Sequence, residues 1–243
     1  FRDDDVFAAN LYVQDWPTLG FFTQGTVIHN RNREGGQIQY DDNGIIQRPV
    51  SLGVERSGDY DVTYLGLSGD GHIGGLNLTT SAYYAIGDAE RGTFVDRPQQ
   101  IRAGFFAAEL SKDFSWVRAR ASLAWGSADS DPFDGRGEGF DAIFENPLFA
   151  GADTSFWIRE PVPLIGGGRV TLSGRNGLLN SLRSSKEFGQ SNFANPGLKL
   201  IGVGADFDLT PTLRVSTNVN WLQFVDTETL RVARAQGDID KDI

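Results

Sequence analysis

Two arginines two positions apart, Arg118 and Arg120, punctuate an otherwise apolar alternation, and Arg214 opens a second segment of the same kind. Side chains two apart in a strand point to the same side, so the paired guanidiniums share one surface. Arg102 joins them if its own segment keeps a matching alternation. Asn218 and Asn220 follow Arg214 at the same period. Guanidinium forks hold carboxylate or phosphate bidentately, and three or four of them on the wall of a watery passage raise the local anion concentration. The competing role is structural. Carboxylates such as Asp61, Asp206 and Asp208 would pair with the arginines, bracing the wall and selecting nothing.

Acidic residues cluster twice, at Asp129, Asp131, Asp134, Glu138 and Asp141 and again at Asp238, Asp240 and Asp242. Carboxylates interleaved with glycine suit Ca²⁺, for which Asp129, Asp131 and Asp134 are the candidate ligands. Neither cluster has the spacing or terminal Glu of a helix–loop–helix calcium site, so solvated loops meeting lipid headgroups through divalent ions are the alternative. No other cofactor is expected. Enzyme chemistry finds little support. His29 and His72 fall at opposite ends of their segments, which separates them too far for a paired-His metal centre. Ser51 and Ser57 could be set beside His29, but neither sits in a G-x-S-x-G motif. Gly166-Gly167-Gly168 is not followed by the Lys-Ser or Lys-Thr of a phosphate loop. With no Cys, thiol chemistry and disulfides are ruled out, and a net charge of -10 argues against nucleic acid as a partner.

Strands are the elements that must position these residues. Leu213, Val215, Thr217, Val219 and Trp221 alternate with Arg214, Ser216, Asn218 and Asn220. Leu76 to Ile86 and Val117 to Trp125 repeat the pattern. Phe7 to Val13 and Ile201 to Leu209 supply two further apolar stripes. Segments near 19–31, 59–68 and 101–111 are strand-like, with an alternation that slips once, as at Tyr64–Leu65; either a bulge or a different register accounts for the slip. Tight links join these eight strands in pairs: Asp15 to Thr18, Ser68 to Gly71, Ser111 to Phe114, and Thr210 to Thr212. Long connections at 32–58, 88–100 and 128–196 separate the pairs. Short and long links therefore lie at opposite ends of an up-and-down sheet.

Bacterial outer-membrane barrels have this asymmetry, and a spanning strand needs only about 9–11 residues with every second one apolar. A mean hydropathy of -0.29 is compatible with that, and the lack of any apolar run near the roughly 18 residues of a spanning helix excludes one. Trp116 and Trp125 stand nine positions apart, roughly 23 Å along a tilted strand, close to the ~25 Å between aromatic girdles. Trp16, Phe21, Phe22, Phe114 and Trp116 form one belt; Tyr60, Tyr83, Tyr84, Trp125, Trp221 and Phe224 form the other. A soluble sandwich or lipocalin-like barrel would alternate equally well, with its apolar faces turned inward.

The fold expected is thus all-β, an antiparallel up-and-down transmembrane β-barrel with long outer loops and short periplasmic turns, 1–243 forming one domain. Both chain ends lead to the long-loop side, and the last residues, Gly237 to Ile243, form no closing amphipathic strand. The expectation is a partial barrel whose whole has about 12–18 strands; a complete eight-stranded barrel is the alternative. The 128–196 loop carries Phe133, Phe140, Phe144, Phe149, Phe156, Trp157 and the Leu164-Ile165 pair. So apolar a loop should fold over or into the barrel, either as a plug or constriction or as a plain cover over the barrel mouth, with a short helix around Phe140–Glu145.

The loop Asp134-Gly135-Arg136-Gly137-Glu138-Gly139-Phe140-Asp141-Ala142-Ile143-Phe144, continuing through Phe149-Ala150-Gly151, resembles the large outer loop of alginate-export-like outer-membrane proteins. The run Gln190 to Gly197 entering a strand is similar to theirs as well. The turn Asp206 to Leu213 is common to many outer-membrane barrels. The resemblance covers the second half of the chain and, more loosely, the first-half hairpins. It implies a monomeric porin-like channel of up to eighteen strands that passes or exports a polar or polyanionic solute across the outer membrane. Its partners would be the lipid bilayer, lipopolysaccharide and that solute. A scaffold barrel around a periplasmic or outer-membrane protein, such as an electron-transfer sheath, is the second expectation, and a soluble ligand-binding barrel the third.

Overall fold

The computed structural model describes residues 3–33, 58–92, 94–141, 150 and 193–234, with the backbone alone of short strand pairs at 39–40 with 46–48 and 161–163 with 169–171. The chain is all-β. Eight long strands follow one another in a single antiparallel meander: β1 (Asp4–Gln14), β2 (Phe21–Asn32), β3 (Tyr60–Ile73), β4 (Leu76–Ala89), β5 (Gln99–Phe114), β6 (Val117–Gly126), β7 (Leu198–Thr210) and β8 (Leu213–Phe224). A ninth, two-residue strand, Arg136–Gly137, runs parallel to β5. A short helix, α1 (Glu228–Arg234), ends the described chain.

The sheet is not closed into a barrel. β1 and β8 are its two edges and do not pair with each other. Each strand in sequence order satisfies the backbone groups of the next, and the meander stops where β8 runs out of a neighbour. β1 is exposed on both faces along nearly its whole length.

All four short links lie at one end and the long connections at the other, as the pattern of turn residues predicts. Two of the short links sit further along the chain than expected. β3 runs on through Ser68 to Gly71 and pairs to Ile73↔Leu76, leaving Gly74-Gly75 as the turn, with Gly74 at φ 61°. β5 likewise runs on to Phe114↔Val117, leaving Ser115-Trp116, with Ser115 at φ 59°. Gly69 is a packing glycine instead. A Cβ there would come within 2.6 Å of the Phe21 ring.

Register assigns every strand residue to one of two faces. The bare face gathers the apolar stripes, and most of its large side chains are exposed. Leu11 is 69% exposed, Leu67 57%, Val203 59% and Val219 70%, with Ile86, Leu123 and Trp221 also exposed. The opposite, capped face is polar near the short turns and apolar near the long connections. There Tyr60, Val62, Tyr64, Ala85, Ile101, Ala103 and Phe193 form one buried cluster, and Ala107, Ala124, Leu200, Leu222, Phe224, Ala150 and Leu230 another.

This layer corrects two sequence expectations. No bulge interrupts β3 or β5; among the eight strands the one register shift falls between Asp208 and Thr210. The alternation slips at Tyr64–Leu65 because apolar residues change face there, from the buried Tyr60, Val62 and Tyr64 to the bare Leu65 and Leu67. For the same reason Tyr60 and Phe224, each 1% exposed, belong to the capped core and to no surface belt, as does the partly buried Tyr83. Phe21 is buried over Gly69, and Phe22 falls on the capped face opposite Gln14 and Asp70. Tyr84, Trp125 and Trp221 remain at the long-connection end of the bare face, with Phe114 and Trp116 at the other.

Candidate functional site

The capped face near the short turns is a ladder of ion pairs set by hairpin register. Asp113 and Arg118 are direct cross-strand partners around Ser115-Trp116, and the guanidinium donates from Nε and Nη2 to the two carboxylate oxygens at 2.6 and 3.2 Å. The next hairpin repeats the device with Asp208 and Arg214, at 2.6 and 3.1 Å. Between them Arg120 donates to Asp206 at 3.1 Å and to Asn218 at 3.0 Å. Arg120 crosses Gly204 to do so. A Cβ at Gly204 would lie 2.5 Å from Asn218 Oδ1 and displace the amide that meets the guanidinium.

Exposure ranks the three. Arg118–Asp113 and Arg214–Asp208 are about half exposed, where a paired charge contributes little. The Arg120 and Asp206 side chains are only 16% and 12% exposed, so this pair is the one shielded from solvent. All three expected arginines therefore share a face, and each is neutralised by a carboxylate. Asp206 and Asp208 take the roles foreseen for them; Asp61 does not. It lies across from Arg31 on the bare face and binds Arg33 at 2.5 Å.

Arg102 is a correction. It pairs across with Ile86 and shares the bare face with Gly104, Phe106 and Leu110, opposite the other three arginines. Ile101, Ala103 and Phe105 occupy the capped face of β5 under the cap, so at this end the apolar residues lie on the capped face and Gln100 and Arg102 on the bare one. Single-face alternation cannot place Arg102 there.

Above the ladder lies the cap, formed by residues 127–141, Ala150 and 193–197. Phe140 stacks on Phe105 with ring centroids 5.2 Å apart and meets Tyr64 edge-on at 6.2 Å. The Tyr64 hydroxyl donates to the Asp141 carbonyl at 2.7 Å. Asn195 Nδ2 donates to the Phe140 carbonyl at 3.1 Å, and Gly139 N to that of Phe193 at 2.7 Å. The described part of the long loop thus folds onto the sheet, as its apolar content requires. Phe140 and Asp141 are not helical; the rest of the expected helix, Phe144, Phe149, Phe156, Trp157 and the 164–168 segment fall outside the described residues.

Ladder and cap meet at Ala150. Its N–H donates to Glu109 Oε2 at 2.8 Å, Ser122 Oγ donates to the same oxygen at 2.8 Å, and Asn220 Nδ2 donates to the Ala150 carbonyl at 3.2 Å. Asn218 therefore serves the ladder and Asn220 the cap. Sequence reading missed Glu109 and Asp113. For Asp113 a signal existed: an acid and an arginine placed symmetrically about a two-residue turn are cross-strand partners.

The acidic run is built for turns. Asp129 Oδ1 accepts the N–H of Asp131, Asp131 that of Phe133, and Asp134 that of Arg136, each two residues on. Asp131 and Asp134 each accept one such bond on Oδ1, and among the described residues no three His, Cys, Asp or Glu gather to hold a metal ion. Asp238, Asp240 and Asp242 fall outside the described residues, as do Ser51 and Ser57. His29 lies on the bare face with its Nδ1 3.0 Å from Thr63 Oγ1, while its Nε2 is 3.9 Å from Asp61, beyond hydrogen-bond reach. Asp61 is committed to Arg33, so it does not orient the imidazole for nucleophilic chemistry. No protein-family model matches the chain, and no curated protein matches it either.

Proposed function

We propose that this sheet is part of the wall of an outer-membrane β-barrel channel that passes a polar solute along the capped face. The observation that carries the reading is the bare face: eight consecutive strands present exposed Leu, Val, Ile and aromatic side chains on one side, with polar and capped surface on the other. An apolar surface of that extent is not left to water. Hydrocarbon tails against it would leave the Arg–Asp ladder lining a watery lumen, with Tyr84, Trp125 and Trp221 at one interface and Phe114 and Trp116 at the other. The 14 to 16 residues of β3, β4 and β5 exceed the ~9–11 a bilayer needs, and the surplus holds the cap above it.

Because each ladder arginine has a carboxylate partner, the wall is proposed to be polar and locally neutral, and anion preference through Arg118, Arg120 and Arg214 loses support. A scaffold barrel with a filled lumen is the second reading, favoured by the cap seated on the capped face. The test is reconstitution of the full-length protein into lipid vesicles and planar bilayers. Brominated acyl chains should quench Trp125 and Trp221 fluorescence, and stepwise conductance should follow. Absence of quenching defeats the membrane reading; quenching without conductance selects the scaffold.

A further inference from the structure

We propose that Asp129 is a proton-operated latch, its carboxyl keeping the cap seated on the sheet while protonated and releasing it on ionisation. Asp129 lies three residues beyond β6 and is 1% exposed. Its N–H donates to the Asn195 carbonyl at 2.9 Å, and its own carbonyl accepts the Thr229 hydroxyl at 3.1 Å. One residue therefore ties the start of the cap to the segment entering β7 and to α1. Oδ1 is occupied by the Asp131 N–H at 3.2 Å. Oδ2 is buried without a hydrogen-bond partner. A neutral carboxyl tolerates that position, whereas a carboxylate would bear the full cost of lost hydration there.

Among the described residues no ion pair reaches its carboxyl. On its own loop, Asp131, Asp134 and Glu138 all oppose ionisation, and Arg136 faces Glu138 at 3.9 Å. On α1, Glu228 and Arg231 pair with each other at 3.4 Å. Residues 193–197 carry no titratable side chain, and Lys199 of β7 lies on the bare face across from Trp125. Burial, opposed in part by the Asp131 N–H and aided by these carboxylates, raises the Asp129 pKa to about 7. A carboxyl raised in the folded state stabilises the seated cap fully below the ordinary carboxylate range. That contribution declines as pH climbs towards 7 and is gone above it. The latch depends on the packing of cap against sheet alone, whichever solvent covers the bare face.

Hydrogen–deuterium exchange of residues 127–141 and 225–234 in the full-length protein, corrected for the intrinsic pH dependence of exchange, reads the opening directly. In the wild type the open population should rise about tenfold per pH unit between pH 5 and 7 and then level off, as release of one proton requires. Asp129→Asn should give a flat profile. Thr229→Val, which loosens the junction and keeps the carboxyl, should raise opening at every pH with the slope retained. A flat wild-type profile, or an Asp129→Asn profile that still rises, overturns the latch. Should Asp129→Asn not fold, infrared spectroscopy of the wild type decides: a protonated carboxyl band present at pH 6 and lost by pH 8 supports it, and no such band at pH 6 overturns it.

Discussion

Glu109 Oε2 accepts the backbone N–H of Ala150 at 2.8 Å, fastening a cap residue 41 positions along the chain to the middle of β5. The same oxygen holds Ser122 of the next strand, so one carboxylate couples the wall to the segment above it. Glu109→Ala should leave the Ala150 N–H and the Ser122 hydroxyl without their acceptor. An unsatisfied buried group costs about 1–3 kcal/mol. Limited proteolysis near residue 150 should accelerate accordingly, while Glu109→Gln, which keeps an acceptor oxygen, should lose less.

The ladder makes a prediction about coupling. A double-mutant cycle on Arg120 and Asp206 should return a favourable interaction on the order of 1 kcal/mol or more, because the pair is shielded and shares Asn218. The equivalent cycle on Arg214 and Asp208 should return about 0–1 kcal/mol, since both side chains are half exposed. Equal couplings from thermal or denaturant unfolding would show that burial does not separate them.

Selectivity follows from the same pairs. Arg118→Ala with Arg120→Ala leaves Asp113 and Asp206 unneutralised on the capped face. In the proposed channel, the reversal potential across a salt gradient should shift towards cations. An unchanged potential would mean that these residues do not face the permeating solution.

Face assignment can be tested by placing one charge on either side of β8. Val219 is 70% exposed on the bare face, and Ser216 lies on the capped face opposite Asp206. Val219→Arg should reduce stability in a bilayer by about 2–4 kcal/mol if the residue lies near the midplane, whereas Ser216→Arg should cost about 1 kcal/mol or less. In detergent-free solution the difference should disappear.

Two glycines distinguish crowding from backbone strain. Gly69→Ala would drive a methyl to within 2.6 Å of the Phe21 ring and should cost about 1–3 kcal/mol. Gly74→Ala meets no atom within 4 Å, and its penalty should be the ~1 kcal/mol of a positive φ alone. Unfolding of the two variants side by side checks the order.

Period-two alternation was enough to read eight strands, their order as hairpins and the sidedness of the short turns directly from residues such as Leu213 to Trp221, because a half-buried strand writes its two faces into successive positions. It also placed Arg118, Arg120 and Arg214 together with Asn218 and Asn220. What alternation could not carry was anything contributed from outside a strand. Where the cap closes over the sheet, apolar residues of β3, β5 and β8 lie on the capped face, which left Arg102 on the bare face and put Tyr60 and Phe224 in the core. Counter-ion assignment needed register, since Asp113 and Arg118 meet only once the turn is fixed at Ser115-Trp116. The carboxylates of Asp129, Asp131 and Asp134 looked like ligands for a cation in one dimension, and became turn acceptors only when the backbone folded back on them. Local periodicity determined the strands; long-range packing decided which charges meet, because that depends on which distant segment closes over each face.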